Sequence, residues 1–289
     1  MQISIPDYTI IDAIIKSTLA EDVGDGDHTS LATVPKAATG KGRLLVKDDG
    51  ILAGVELAER IFHIVDPQLS VEVLIKDGSV IKKGDIAFYV TGSSQSILTA
   101  ERLVLNFMQR MSGIATQTHK LASLIEDLPT KLLDTRKTTP GVRMMEKWAV
   151  LIGGGHNHRY ALHDMIMIKD NHVDYAGGIV QAIDRVEAYQ KENNKHLKVE
   201  IETRNLKEVQ LVVNHGKVDR IMLDNFTPAE IIEALKIIPR DRFEVEASGG
   251  ITGRSIRDYA LTGIDFISSG ALTHSYQSLD LSLKADFKI

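Results

Sequence analysis

After about residue 114, short apolar runs recur along the chain, and each run ends in a polar or glycine-rich group. Stretches with the spacing of an amphipathic helix separate them, as in residues 177–193 and 227–238, where Pro228 suits a first helical turn. Strands that alternate with helices predict right-handed βαβ units and a parallel sheet. The apolar runs are KLLDTRK (131–137), DMIMIKD (164–170), VEIET (199–203), RIMLDN (220–225), FEVEASGG (243–250) and DFISSG (265–270).

Polar and glycine residues that suit chemistry lie at the carboxyl end of each run. In an α/β barrel this end carries the active site, and in an open doubly wound sheet it borders the ligand crevice. Runs at intervals of roughly 20–35 residues favour a barrel, complete or incomplete, over half of a Rossmann fold. The absence of GxGxxG after a first strand agrees with this.

The first 113 residues have a different pattern, in which short alternating segments are joined by turns at 77–78 and 83–84. Apolar spacing then predicts a helix over 96–111, with Gly113 ending it. Arg102 lies on the apolar flank of that helix. Its guanidinium either covers apolar surface with its stem or requires an anionic partner.

Composition restricts the class of protein. The chain has no cysteine, which excludes disulfides, thiolate nucleophiles and cysteine metal clusters. No apolar run approaches the ~20 residues that cross a bilayer, and the N-terminus lacks the pattern of a secretory signal, so we expect a cytoplasmic protein without a membrane partner. The net charge of −5 argues against nucleic acid as a partner.

One segment is basic although the chain as a whole is acidic. Within residues 131–172, seven basic side chains outnumber four acidic ones, and four histidines lie there too. A local positive patch on an acidic protein suits a small anionic ligand better than a polymer. The basic residues are Lys131, Arg136, Lys137, Arg143, Lys147, Arg159 and Lys169, and the acidic ones are Asp134, Glu146, Asp164 and Asp170.

The residues at the strand ends form three chemical groups. Cations bind carboxylates and phosphates, a carboxylate pair can hold Mg²⁺ or face a developing positive charge, and glycine-flanked strand ends offer backbone N–H groups to phosphate. Together they predict a site for a phosphorylated substrate and an acidic one. The groups are the cations Arg136, Lys137, His158, Arg159 and Lys169, the carboxylates Glu202 and Asp224, and the strand ends Ser248, Gly249, Gly250, Ser268 and Gly270.

Each of these residues has an ordinary alternative when it is taken singly. A glycine pair after a strand is more often a turn, and His158 could be a satisfied core histidine. Glu202 could lie on the exposed face of an alternating strand, and Lys169 could extend its stem over apolar surface. The functional interpretation depends on all of these residues together. Under the ordinary alternatives, all six strand ends would have to carry such groups by chance.

Long and rare motifs support the combination. They are EDVGDGDHTS (21–30), ERLVLN (101–106), DTRKTTPGVR (134–143), GGGHNHR (153–159), IKDNHV (168–173), VEIE (199–202), MLDN (222–225), EASGGI (246–251) and FISSGALTHS (266–275). With these motifs, in this order over nearly the whole chain, the sequence resembles quinolinate phosphoribosyltransferase, the carboxylating nicotinate-nucleotide pyrophosphorylase. Val142, where the family often has Leu, is a conservative departure.

The resemblance implies an α/β protein with two domains. Residues 1–113 would form an N-terminal α/β sandwich, to which residues 274–289 return, and residues 114–273 would form an incomplete α/β (TIM-like) barrel that carries the active site. It also implies a homodimer, in which Arg102 reaches across the interface and binds the substrate carboxylate.

The implied reaction transfers the phosphoribosyl group of phosphoribosyl pyrophosphate to quinolinate with loss of CO₂, giving nicotinate mononucleotide and pyrophosphate for NAD biosynthesis. The catalytic residues would be Lys137, Glu202 and Asp224, with Mg²⁺ held directly or indirectly by Glu202 and Asp224. Quinolinate would be bound by Arg102, Arg136, His158, Arg159 and Lys169. Phosphoribosyl pyrophosphate would be bound by Lys137, Glu202, Asp224, Ser248, Gly249, Gly250, Ser268 and Gly270.

Three other functions remain open at this point. A paralogous phosphoribosyltransferase of the same fold, such as those associated with molybdate transport, would use another planar acid. A non-catalytic barrel could sense a phosphorylated metabolite, and it would need neither Glu202 nor Asp224. A metal-dependent barrel hydrolase could use the same carboxylates and would release phosphate instead of pyrophosphate.

Overall fold

The structure is a computed structural model that describes residues 5–285. Residues 1–4 and 286–289, which belong to the predicted N-terminal domain and its returning segment, lie outside the described residues. The helices are α1 Tyr8–Val23, α2 His28–Thr33, α3 Val55–Val65, α4 Ser94–Ala122, α5 Arg143–Ile152, α6 Asp170–Ala176, α7 Ile179–Glu192, α8 Leu206–His215, α9 Pro228–Ile237, α10 Ile256–Ala260 and α11 Ala271–His274. The strands are β1 Thr39–Val46, β2 Gly50–Ile51, β3 Ser70–Val73, β4 Val80–Ile81, β5 Ile86–Ser93, β6 Lys131–Leu133, β7 Ile166–Ile168, β8 Val199–Thr203, β9 Arg220–Asp224, β10 Glu244–Ser248, β11 Phe266–Ser268 and β12 Leu281–Ala285.

One compact unit comprises residues 5–119, 138–154 and 271–285 of the described chain. Its four-stranded antiparallel sheet has the order β12-β1-β5-β3, and β12 pairs with β1 from Gly42↔Ala285 to Val46↔Leu281. Fully buried apolar side chains fill its core, where the rings of Phe62 and Phe88 meet edge to face at 6.0 Å. This unit contains the predicted N-terminal sheet together with residues 138–154, which the sequence analysis placed in the barrel domain.

The prediction that Gly113 ends the helix that begins near residue 96 is wrong, because α4 continues to Ala122. Gly113 lies inside the helix, and a Cβ added there would come within 2.3 Å of the carbonyl oxygen of Gln277. The position is therefore restricted by the close approach of another backbone segment, and its φ is not in the left-handed region. Gly78 and Gly84 do adopt positive φ, at 84° and 101°, as the predicted turns require.

The other compact unit comprises residues 120–137 and 155–270. All six apolar runs form strands of one parallel sheet, in the order β6-β11-β10-β9-β8-β7. The predicted helix at 227–238 begins with Pro228 in its first turn, where Thr227 and Glu230 cap each other's backbone nitrogens. The barrel is not closed, since β6 and β7 are the two edges of the sheet, and the expectation of an incomplete barrel is confirmed.

A short segment extends the open edge of this sheet at β6. The main-chain nitrogen of His156 donates to Leu132 at 2.8 Å, and its carbonyl accepts from Asp134 at 3.0 Å. These two bonds place the GGGHNHR motif beside the end of β6. Within residues 5–285, no helix combines the length and the apolar character that a membrane crossing requires.

Candidate active site

Most side chains on one face of the central strands β8, β9 and β10 are charged or polar. The register sets Glu200 opposite Arg220 and Arg220 opposite Glu244, and two levels further along, beyond the apolar Met222, it sets Asp224 opposite Ser248. The alternate positions, Val199, Ile201, Ile221, Leu223, Val245 and Ala247, are buried and apolar. Because side chains alternate along a strand, the charged set shares the face that an α/β barrel encloses.

This face carries two levels of charge. We call the deeper one the buried layer, formed by His158, Glu200, Arg220 and Glu246. We call the one at the carboxyl ends of β7, β8 and β9 the rim layer, formed by Lys169, Glu202 and Asp224.

The rim layer brings predicted residues together. Lys169 Nζ lies 2.9 Å from Glu202 Oε2. Burial raises the pKa of Asp224, Glu202 raises it further, and Lys169 and Lys137 act in the opposite sense. A carboxylate whose ionisation a neighbouring carboxylate disfavours is stabilised by a cation beside it, and the binding of a divalent metal by Glu202 and Asp224 stays a prediction.

Asn225 follows the rim carboxylate and was not assigned a role by the sequence analysis. It has a positive φ of 59°, and its Nδ2 donates to Asp224 Oδ2 at 2.6 Å. Its side chain also covers the backbone of Gly249, where an added Cβ would come within 2.2 Å of Asn225 Oδ1. Asn225 thus contacts both the carboxylate and the glycine turn on the next strand. The MLDN motif contained the signal, since Asn is the residue besides Gly that most readily adopts this conformation.

The glycine-flanked strand ends are neighbours in the sheet. Gly249 and Gly250 have φ of 100° and 62°, a conformation that favours glycine and turns the backbone directly after β10. Ser268 ends the adjacent strand β11 and is buried, and its hydroxyl donates to Glu246. The Ser268 side chain therefore contacts the buried layer, and phosphate binding there stays a prediction.

Two predicted arginines form the cationic part of the site. Burial lowers the pKa of Arg159, and the neighbouring guanidinium of Arg136 lowers it further. Arg159 Nη1 donates to the carbonyl of Met165 at 3.1 Å. Two half-buried like charges at close range favour an anionic ligand.

The buried layer is the part that the sequence analysis missed, apart from His158. His158 Nε2 lies 3.0 Å from Glu200 Oε2 and 3.4 Å from Glu246 Oε2. Arg220 Nη1 lies 3.0 Å from Glu246 Oε2 and 3.9 Å from Glu200 Oε2. The signal for these three residues was the alternation in VEIET, RIMLD and EVEAS, which places charges on one face of each strand.

The proton in this layer lies on the Nε2 side of the ring. Burial lowers the pKa of His158, but Glu200 and Glu246 outweigh burial and raise it to about 9. The main-chain N–H of Arg159 donates to Nδ1 at 2.6 Å, so that nitrogen is an acceptor. Burial also raises the pKa of Glu200, and the extra proton therefore belongs to the pair of Glu200 and His158. His158, Glu200 and Glu246 have the donor atoms of a metal site, but Arg220 already pairs with Glu246 and lies 3.9 Å from Glu200.

Arg102 belongs to the other compact unit. It is exposed on α4, one turn from the exposed Leu98. Burial raises the pKa of the neighbouring Glu101, which the charge of Arg102 offsets only in part, and within residues 5–285 Arg102 has no hydrogen bond or ion pair. The partner that the sequence analysis expected for this guanidinium is therefore not found in the described part of the same chain.

Comparison with known proteins agrees with this arrangement. Sequence models of quinolinate phosphoribosyl transferase match residues 27–112 as its N-terminal domain and residues 114–284 as its C-terminal domain. The chloroplastic carboxylating nicotinate-nucleotide pyrophosphorylase of Arabidopsis thaliana is 48% identical over 292 residues, covering 96% of this chain and 83% of the relative.

Solved structures give the same result. NadC of Streptococcus pyogenes is 38% identical with a TM-score of 0.90, and the match covers 98% of both chains. The nicotinate-nucleotide pyrophosphorylase of Francisella tularensis is 38% identical with a TM-score of 0.88, over 97% of both chains. The resemblance found in the motifs is confirmed, and the chain belongs to the quinolinate phosphoribosyltransferase family.

Proposed function

We propose that this protein is a pentosyltransferase that joins quinolinate to phosphoribosyl pyrophosphate and releases CO₂, pyrophosphate and nicotinate mononucleotide. It would act in the de novo synthesis of NAD. The observation that carries the proposal is the presence of both kinds of charge at the carboxyl end of one parallel sheet. A carboxylate pair and a group of cations occur there together with glycine turns, as transfer from a sugar phosphate to a dicarboxylic acid requires.

The two substrates divide these residues between them. The half-buried guanidinium groups of Arg136 and Arg159, with Lys169, suit the two carboxylates of quinolinate. Lys137 and the carboxylates Glu202 and Asp224 suit the pyrophosphate and ribose side. The turn at Gly249 offers backbone N–H groups to a phosphate. His158, which the sequence analysis assigned to quinolinate, is buried beneath this level, and we give it the role of holding the backbone of Arg159 instead.

The chemistry has two stages. The ring nitrogen of quinolinate attacks the anomeric carbon, and the bond to pyrophosphate breaks with its electron pair leaving on oxygen. Glu202 and Asp224 stabilise the positive charge that develops on the sugar. The quaternary nitrogen then accepts electron density from the adjacent carbon, so the 2-carboxylate leaves as CO₂ and that carbon takes up a proton. Mg²⁺, when held by these carboxylates, supplies charge neutralisation for the leaving pyrophosphate.

The test is an assay of the purified protein with quinolinate, phosphoribosyl pyrophosphate and Mg²⁺. Quinolinate labelled in its 2-carboxylate should release labelled CO₂ in equal amounts to pyrophosphate and nicotinate mononucleotide. Nicotinate is the control acid, and it should give little product because it lacks that carboxylate. Turnover of another planar acid in place of quinolinate would favour the paralogue, and release of inorganic phosphate would favour a hydrolase.

A homodimer with shared sites is also part of the proposal. It is supported by Arg102, which is exposed beside Leu98 and has no ion pair in residues 5–285. Arg102→Ala and Asp224→Asn should each be inactive alone, and mixing them should restore activity in the sites that receive both intact residues. Mixtures that stay inactive, although the subunits exchange, would contradict an arginine that acts across the interface.

The cellular location stays a prediction. We expect the cytoplasm, whereas the relative from Arabidopsis thaliana is named as a chloroplastic protein. Cell fractionation with an antibody to the native chain would decide between them.

A further inference from the structure

A continuous series of contacts crosses the interior of the parallel sheet beneath the rim layer. Arg220 Nη2 lies 2.9 Å from Glu244 Oε2, and its Nη1 lies 3.0 Å from Glu246 Oε2. Glu246 Oε2 and Glu200 Oε2 both face His158 Nε2, at 3.4 and 3.0 Å. The series thus runs from β9 through β10 to the GGGHNHR motif.

This arrangement is costly for stability alone. The side chains of Glu200 and Glu246 are fully buried, and that of His158 is 4% exposed. Removing such charges from water costs several kcal/mol each, and apolar residues of the same volume often give a fold at least as stable. The presence of charged groups at these positions therefore indicates that they hold the neighbouring residues of the site in a fixed geometry.

The geometry that they fix is that of the loop carrying Arg159. The His158 ring accepts from the main-chain N–H of Arg159 at 2.6 Å. On the other side, Asp134 accepts from the main-chain N–H of His158 at 2.8 Å and from Asn157 Nδ2 at 2.6 Å. Residues 157–159 are thus held through both the backbone and the imidazole, and rotation of the ring would release the Arg159 end.

We propose that Glu246, Glu200 and Arg220 are positioning residues, which hold the His158 ring and through it the backbone of Arg159 for recognition of the acid substrate. This inference rests on the proposed function. The three residues touch no substrate, and their effect passes through His158. Their replacement should therefore impair the binding of quinolinate and leave the binding of phosphoribosyl pyrophosphate unchanged.

The chain offers a matched control for this idea. Glu244 and Glu246 lie on the same strand, and both pair with Arg220. Of these two, Glu246 also reaches His158, at 3.4 Å. Glu246→Gln and Glu244→Gln both weaken the pairing of Arg220, so a difference between them isolates the contact with His158.

The experiment measures KM for each substrate, kcat and thermal stability in the wild type and both variants. Glu246→Gln should raise KM for quinolinate by between about 10- and 100-fold, because a small displacement of a binding group has effects of that size. KM for phosphoribosyl pyrophosphate should not change in either variant, and Glu244→Gln, which keeps the contact between Glu246 and His158, should raise KM for quinolinate far less than Glu246→Gln. The ¹H–¹⁵N signal of His158 Nε2 should shift in Glu246→Gln and stay in place in Glu244→Gln.

Equal KM values for quinolinate in the two variants would overturn the inference, and so would a parallel rise of both KM values in Glu246→Gln. If Glu246→Gln does not fold, Glu200→Gln takes its place, because Glu200 contacts the ring and lies further from Arg220. Wild-type protein that does not consume quinolinate would refute the proposed function itself. That outcome is recognised from the wild-type arm and is distinct from a failure of this inference.

Discussion

The buried layer and the rim layer lie on the same strands, and Glu200 and Glu202 are only two residues apart. In the buried layer Glu200 and Glu246 each lie close to both Arg220 and His158, although burial still raises the pKa of Glu200. In the rim layer Lys169 pairs with Glu202, whereas Asp224 has no ion pair among residues 5–285, and burial and Glu202 raise its pKa. The comparison shows that charged residues two positions apart on one strand can have different roles. Those of the buried layer hold neighbouring side chains in place, and those of the rim layer are placed to bind a ligand.

The largest effect on stability is expected where the buried layer loses its guanidinium. Arg220→Met should lower the free energy of unfolding by about 3–5 kcal/mol, because Glu246 is left buried without this partner. Arg257→Met is the control, since it removes an exposed pair with Asp127 and should change the free energy of unfolding far less. Unfolding in urea gives the free energy of unfolding of both variants. Similar losses in the two would show that burial of an ion pair does not decide how much it contributes to stability.

Substitution in the rim layer should lower activity strongly and leave stability unchanged. Asp224→Asn should reduce kcat/KM by about 10²- to 10³-fold, since the proposed function loses the charge that would face the reacting sugar. The melting temperature should not fall, because the raised pKa of Asp224 means that its ionised form is disfavoured in the folded protein. Steady-state kinetics and thermal unfolding test this pair of results. If Asp224→Asn were destabilised but still active, Asp224 would have a structural role and not a catalytic one.

The pH dependence of stability separates the layers further. Glu200 and Glu246 raise the pKa of His158 from 6.5 to about 9, so the stabilisation from the proton that His158 shares with Glu200 is fully present below pH 6.5 and is lost as the pH rises through about 9. The stability difference between wild type and His158→Gln should therefore shrink over this range, by on the order of 3 kcal/mol. Urea unfolding of His158→Gln and the wild type across this range measures the change, with His163→Gln as the control substitution at an exposed histidine.

The smallest effect is expected at the residue that orients the rim carboxylate. Asn225→Gly keeps a residue that tolerates the positive φ and removes the hydrogen bond to Asp224 Oδ2. We expect a loss of about 1 kcal/mol in transition-state binding, or roughly 5-fold in kcat/KM. Asn194→Gly is the matched control, because Asn194 also has a positive φ, of 49°, and contacts no site residue among those described here. Equal kinetics for the two variants would show that Asn225 has only a backbone role.

The rim layer could be predicted from the sequence because a general rule places ligand groups where parallel strands end. The positions of Glu202 and Asp224 in the site could be predicted once the strands were located, because both residues lie at or near the carboxyl end of a strand. The buried layer could not be found in this way. The sequence shows that Glu200 and Glu202 share a face, but which face the sheet encloses depends on how the strands assemble. Interior positions are also usually apolar, so Glu246 and Arg220 gave no expectation of an ion cluster.

Gly113 shows a second limit of the same kind. A glycine after an apolar helix commonly ends it, and the sequence contains nothing that distinguishes this use from a close contact. The contact with Gln277 involves a segment more than 160 residues away in the chain. Tertiary packing therefore decided a feature that local pattern alone assigned wrongly.

The alternation of the sheet has a consequence for the evolution and engineering of this enzyme. All the charged groups that β8, β9 and β10 contribute to the two layers occupy even-numbered positions, and the odd-numbered positions face the apolar packing. A single-residue insertion or deletion inside one of these strands would exchange the two sets, pointing valines and isoleucines at the substrate and carboxylates at the helices. Length variation among relatives should therefore be confined to the connecting loops, whereas point substitutions on the helix-facing side can accumulate without disturbing the chemistry.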